Sequence, residues 1–219
     1  MNEFETLLES ASGVLWDLQE KARGDSTLSR ISRNFRGDFR QLIRGVLKGY
    51  FSPEVFIGDS WRLIERLFWV AFERGTRDGG LVGISSSDWS AFNRDLSVEF
   101  KSLLKFGSDI LRGLYNSQGG LTRALDRGDL YVSRLNYFYR LGVALAGATD
   151  MREWVLGRTQ EHCDDCRRYH GQVHPYRTWA LMGAIPGSHQ LGCKGVNCGC
   201  ILREVSGNER GLLTGPGGS

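Results

Sequence analysis

The stretch "EHCDDCRRYHGQVHPYRTWALMGAIPGSHQLGCKGVNCGC", residues 161–200, holds all five cysteines and all four histidines of a 219-residue chain. The remaining residues carry no cysteine and no histidine. The spacing inside the stretch is that of a metal module. Cys163-Asp-Asp-Cys166 is a two-residue-gap pair, a turn that aims both sulfurs at one point. Residues 167–192 separate it from Cys193, Cys198 and Cys200. Cys198 and Cys200 stand two residues apart, so on extended backbone they face the same side. Four thiolates at about 2.3 Å around one ion make a closed, structural zinc site. Cys163 and Cys166 come first as ligands and Cys198 next; Cys193 and Cys200 compete for the fourth place. His170, His174 and His189 are possible replacement ligands, and His162 is expected to turn away from the metal.

The competing readings are weaker. An odd number of cysteines fits poorly with a closed set of disulfides, and clustered thiols in a reducing compartment are more often ligands. No βαβ pattern surrounds the Cys-x-x-Cys pair, which argues against a thioredoxin-like redox role. A thiolate-rich ligand set leaves no open position, which argues against catalytic zinc. Free reduced thiols are the plain alternative.

Working outward, "REWVLG" (152–157) alternates and carries Trp and Val, so it reads as a strand. "CILREV" (200–205) reads as a second one. Residues 151–206 therefore form a small α+β cysteine-rich module with little apolar content between its strands, and below about 40 residues a core rarely suffices without a metal or disulfides. A bound ion would supply the missing stability. The glycine-rich segment 207–219 reads as a flexible tail.

Residues 1–150 read as a helical body, which makes the chain mainly α. Leu28, Ile31, Phe35, Phe39, Leu42, Val46 and Tyr50 fall on one helical arc, and Ser26 or Thr27 could cap its start. Ser52-Pro53 opens a second helix carrying Trp61, Ile64, Phe68 and Ala71, closed by Gly79-Gly80. Ser87 opens a third, with Trp89, Phe92, Leu96, Phe100, Leu103 and Leu104 at three-four spacing. A last helical stretch runs over 121–148, with a break expected at Gly128. An initial helix is expected over 4–22. The aromatic stripes read as core.

Arg30, Arg33, Arg36, Arg40, Arg44 and Lys48 line the side of the 28–50 helix opposite its apolar face. As a solvated face they need no partner; as a contact surface they suit an acidic protein or DNA phosphate. Only Asp38 adds negative charge over 28–50, so compensation has to come from other helices.

The chain as a whole carries 41% hydrophobic and 24% charged residues and a net charge of +3, a globular composition that does not by itself argue for nucleic-acid binding. Its longest smooth apolar stretch, 141–148, is far short of the ~20 residues a membrane span needs. No secretory signal pattern is present. There is no P-loop, no Gly-x-Ser-x-Gly elbow and no His-Glu-x-x-His, and no nucleophile is matched with a base, so an enzyme is not expected.

The order "EWVLGRTQEHCDDCRRYHGQVH" followed by "LGCKGVNCGCILREV" resembles the phage minor head proteins of the Mu F-like head-morphogenesis family. Trp154 to Leu156 match the entry strand, Cys163 and Cys166 the first pair, Gly171-Gln172-Val173 the turn, and Asn197, Cys198 and Cys200 the close. Gly199 stands where that family usually has arginine. "LGCKGVNC" stands where many members have His-Pro, with Cys193 as a substitute ligand. The resemblance covers about 55 of the 219 residues. It implies a non-enzymatic structural protein of the virion, present in the host cytoplasm during assembly. Its partners would be portal or capsid proteins, packaged DNA, or further copies of itself. The alternative is a zinc-ribbon nucleic-acid-binding regulator. It would need basic charge around the metal, whereas here Arg158, Arg167, Arg168, Arg177, Lys194 and Arg203 are offset by Glu153, Glu161, Asp164, Asp165 and Glu204.

Overall fold

The computed structural model describes residues 25–157, 161–195 and 198–205. The helix expected over 4–22, Arg158, Asn197 and the tail at 207–219 lie outside the described residues. The protein is mainly helical, with a small sheet near its C-terminal end. Four long helices come first: α1 (Asp25–Leu47), α2 (Pro53–Asp78), α3 (Ser86–Leu111) and α4 (Gly120–Ala146). They are followed by β1 (Met151–Val155), α5 (Asp164–Tyr169), β2 (Val173–Pro175), α6 (Tyr176–Leu181) and β3 (Ile201–Glu204). No helix among the described residues is long and apolar enough to cross a membrane.

The helix ends follow local chemistry. Ser52 Oγ accepts the Val55 N–H in front of α2, with Pro53 at the first helical position, where no backbone donor is needed. At the other end Gly80 takes φ +82°, and its N–H bonds Arg77 while Leu81 N–H bonds the Thr76 carbonyl, a left-handed helix stop. Ser85 and Asp88 cap α3 reciprocally: Asp88 Oδ2 accepts the Ser85 N–H at 2.8 Å and Ser85 Oγ accepts the Asp88 N–H at 3.3 Å. Such a box contributes about 1 kcal/mol. Ser26 and Thr27 lie inside α1 rather than before it.

The chain divides into two compact units whose boundaries fall within α2, α3 and α4. In the first (α1, α2 to residue 71, α3 from 99, α4 to 136) the core is aromatic. Phe39 meets Phe35, Phe56 and Tyr131 at ring-centroid distances of 5.6, 6.2 and 5.3 Å, and Phe56 meets Phe106 edge-on at 5.5 Å. All four phenylalanines are fully enclosed, each worth roughly 1.5–3 kcal/mol by burial. Helix α4 is continuous through Gly128, contrary to the expected break. A Cβ there would stand 2.5 Å from Ile43 Cδ1, so the glycine provides room for α1 to approach. Two buried carboxylates of α3 are matched by arginines of α4: Glu99 with Arg134 and Asp109 with Arg127, both at 2.6 Å.

The second unit holds residues 72–98 and the chain from Tyr137 onward. Its helices meet backbone to backbone. A Cβ on Gly75 would collide with the Tyr139 carbonyl, and one on Gly142 with the Phe72 carbonyl. Phe92 packs between Phe72 and Phe138. The cysteine-rich module belongs to this unit and is tied to its helices by two arginines. Arg177 donates to the Leu145 carbonyl at the end of α4 and pairs with Asp88 at 2.7 Å. Arg94 donates to the carbonyls of Ala180 and Leu181 at the end of α6. Asp95, buried, accepts bonds from Tyr137 and from Gln190 of the cysteine loop.

The apolar pattern of the third helix needs a correction. Phe92, Leu96 and Leu103 are buried as expected, but Trp89 and Leu104 are each 42% exposed. The inward positions beside them are taken by Asp88, Asp95 and Glu99, which are buried with partners.

Candidate metal centre

The sheet has β1 in the middle, with β2 and β3 antiparallel on either side. The two expected strands are therefore β1 and β3, paired Trp154 with Leu202 and Val155 with Ile201. Strand β2 and the short helices α5 and α6 were not legible. The pairing brings the end of β1 beside the approach to β3. Gly157 and Gly199 pass so closely there that any side chain at 157 would strike the Gly199 carbonyl.

The module has more core than its composition suggests. Trp154 and Trp179 are fully buried and meet at 5.6 Å with their rings tilted by 50°, and Tyr169 lies 5.4 Å from each. Trp179 Nε1–H donates to the Arg152 carbonyl at 2.9 Å, which anchors α6 on β1. Cys166, Cys200, Ala184 and Leu191 complete this cluster, and Cys163, Cys193 and Cys198 pack at its margin. The thiols thus form one wall of an aromatic core. Sequence reading missed Trp179 because "YRTWAL" is a single helical turn and a half, too short to show a period.

All five sulfurs converge. Cys163, Cys166 and Cys193 form one group and Cys166, Cys198 and Cys200 another, each with its sulfurs within 4.8 Å of one another. Cys166 belongs to both. The Cys163 and Cys166 sulfurs are 3.4 Å apart, close to the edge of a thiolate tetrahedron, about 3.8 Å for bonds of about 2.3 Å. The five thiols are all free of disulfides. This is a cluster positioned to hold a metal ion.

Local structure prepares these positions. Cys163 stands at the N-cap position of α5 with extended backbone, φ −67° and ψ 161°. Asp165 Oδ2 accepts the Gly192 N–H at 2.8 Å and so ties that turn to the loop carrying Cys193. Lys194, at φ +50°, and Gly195, at φ +73°, bend the chain sharply after Cys193. Gly195 lies against the Gly187 carbonyl, where no other residue fits.

The electrostatics are those of crowded thiols. Burial pushes the Cys166 thiol well up, and the neighbouring sulfurs of Cys163, Cys200 and Cys198 add to it. Burial likewise pushes Cys193 up to about 11, against a hydrogen bond from the Gly195 backbone. Burial also opposes ionisation of Cys163, but hydrogen bonds from the backbone and side chains of Cys166 and Cys193 outweigh it and hold that thiol below its ordinary value. Several thiolates cannot share this volume without a cation, and a divalent ion replaces the protons that otherwise keep them neutral.

Among the described residues no histidine joins either thiol group. His170 Nδ1 sits 3.3 Å from the Trp154 carbonyl, and the His174 ring packs on Trp179 at 4.8 Å. His162 is placed contrary to expectation: its Nδ1 is 3.8 Å from Cys200 Sγ, so the ring faces the cluster.

The basic face of α1 is partly neutralised. Arg40 holds Asp129 of α4 through two hydrogen bonds of 3.1 and 2.6 Å, and Arg36 lies 3.5 Å from the same carboxylate. Arg33, Arg44 and Lys48 are exposed, Arg30 is half-buried, and Lys48 lies over the Tyr50 ring at 5.8 Å. Compensation from α4 thus comes from Asp129 in direct contact, with Asp126 adding to the field at Arg40.

Comparison with models of known families, with characterised proteins and with solved structures finds no match to this chain.

Proposed function

We propose that the protein is a structural component of a phage head, associated with the portal or capsid, whose C-terminal module is held by Zn2+ on four of Cys163, Cys166, Cys193, Cys198 and Cys200. The observation that carries this reading is the order of parts around one core: entry strand, Cys-x-x-Cys turn, glycine turn, Cys-x-Cys close and exit strand paired back on the entry strand. Soft thiolate donors in a compact group favour zinc over hard cations. The Cys200 thiol has His162 Nδ1 3.8 Å away, but as a ligand it would be committed to the ion, which suits an assembly role rather than catalysis.

The nucleic-acid-binding alternative is less well supported. Four of the basic residues near the thiols pair with carboxylates: Arg167 with Asp164, Arg168 with Asp165, Arg203 with Glu153 and Arg152 with Asp150. That leaves little net field to attract phosphate. The exposed cations of α1 are the better contact for an acidic partner.

The test is to follow a tagged full-length chain in host cells producing the phage particles. Co-sedimentation with purified heads, and density for the chain at the portal vertex, is the expected result. Heads that assemble fully and contain none of it would overturn the reading.

A further inference from the structure

We propose that the cluster holds two metal ions bridged by the Cys166 thiolate, and not one ion with a spare cysteine. The proposal rests on the reading that these thiols bind metal and adds their number and connectivity. One tetrahedral ion takes four sulfurs, all about 3.8 Å from one another. The five sulfurs here do not form such a set. They fall into two groups of three, and Cys166 is the member common to both. A single ion at either group would leave two thiols of the other within 4.8 Å of a bound sulfur and without a cation.

Two ions remove that difficulty. The first is held by Cys163, Cys166 and Cys193, with water in its fourth position. The second is held by Cys166, Cys198 and Cys200; His162 stands outside that group, but its Nδ1 lies 3.8 Å from Cys200 Sγ, and a turn of its ring would bring it in as the fourth ligand. The 3.8 Å between His162 Nδ1 and Cys200 Sγ is near the nitrogen–sulfur edge of such a site, about 3.6 Å. Cys166 is suited to bridging by position: it lies in α5, it is 2% exposed, and it has sulfurs of both groups around it. Five thiolates against two dications leave one net negative charge, a smaller burden to bury than four thiolates on one dication.

The experiment is metal counting on the full-length protein, purified with zinc supplied and then desalted, together with the 113Cd spectrum of the cadmium-exchanged form. Two zinc ions per chain and two cadmium resonances, split by each other through the shared sulfur, are expected. C193S should hold one ion per chain and keep the second resonance, and H162A should shift the second resonance alone. One ion per chain with a single resonance in the unaltered protein would overturn the bridge while leaving thiolate binding intact. No bound metal would overturn both. Because the spectrum is taken on the unaltered chain, the result does not depend on any variant folding.

Discussion

The carboxylate of Asp165 reaches across to the backbone of Gly192: Oδ2 accepts the N–H at 2.8 Å while Oδ1 takes Arg168 at 2.8 Å. One acidic residue inside the Cys-x-x-Cys turn thus positions the loop that delivers Cys193. Asp165→Ala should cost about 1 kcal/mol in urea unfolding, the usual net contribution of a hydrogen bond, since the Gly192 N–H is exposed and water can replace the carboxylate. It should also speed zinc transfer to a chelator. Arg168→Ala, at an exposed pair, should change stability by under about 1 kcal/mol. Equal effects of the two would contradict a positioning role for Asp165.

Gly157→Ala tests the close passage of β1 past the Cys198-Gly199-Cys200 turn. The added methyl group has no space against the Gly199 carbonyl, and overpacking of this kind costs about 1–3 kcal/mol. Metal should be released faster because two ligands flank the displaced peptide. An alanine variant with unchanged release would show that the two backbones are farther apart than described.

The helix crossing in the second unit depends on glycine. Gly142→Val should destabilise the protein by more than about 2 kcal/mol and lower its melting midpoint, since the Phe72 carbonyl occupies the space of the side chain. Gly37→Ala, on α1 with nothing near its Cβ position, is the control and should be neutral or slightly stabilising. A Gly142→Val protein as stable as the control would argue against the crossing.

Asp109 gives the acid limb of the stability curve. The hydrogen bond from Arg127 holds its carboxyl below the usual aspartate value, against burial. A group depressed in the folded state contributes stability above its unfolded value and loses it as pH falls through the folded value. Urea midpoints should therefore fall as the pH is lowered from about 4, the ordinary aspartate region. Asp109→Asn should be less stable at neutral pH and should show a shallower loss on acidification. An unaltered slope would exclude Asp109 as a contributor.

What was legible in the sequence follows from what periodicity records. The 3.6-residue spacing of Phe35, Phe39, Leu42 and Val46 marked α1 because one face is buried along its length. The same signal misplaced Trp89 and Leu104, since α3 buries Asp88, Asp95 and Glu99 against arginines and a tyrosine. Hydropathy counts those acids as outward. Gly128 looked like a break because propensity sees the missing Cβ but not the neighbour that needs the space. In the module, cysteine spacing pointed to the cluster, and two of the three strands were evident. The six-residue helices, the three-residue strand and the burial of Trp179 depend on tertiary contacts that no short window contains. The ring of His162 turned toward Cys200 for the same reason.

The central claim is that metal on the thiolates holds the aromatic core of the module together. The most direct measurement is hydrogen exchange at the Trp179 indole, whose Nε1–H is bonded to the Arg152 carbonyl, before and after verified metal removal. Slow exchange in the loaded protein that becomes fast on chelation, and slow again when zinc is restored, is the predicted result. Protection that persists unchanged in demonstrably metal-free protein would contradict the claim.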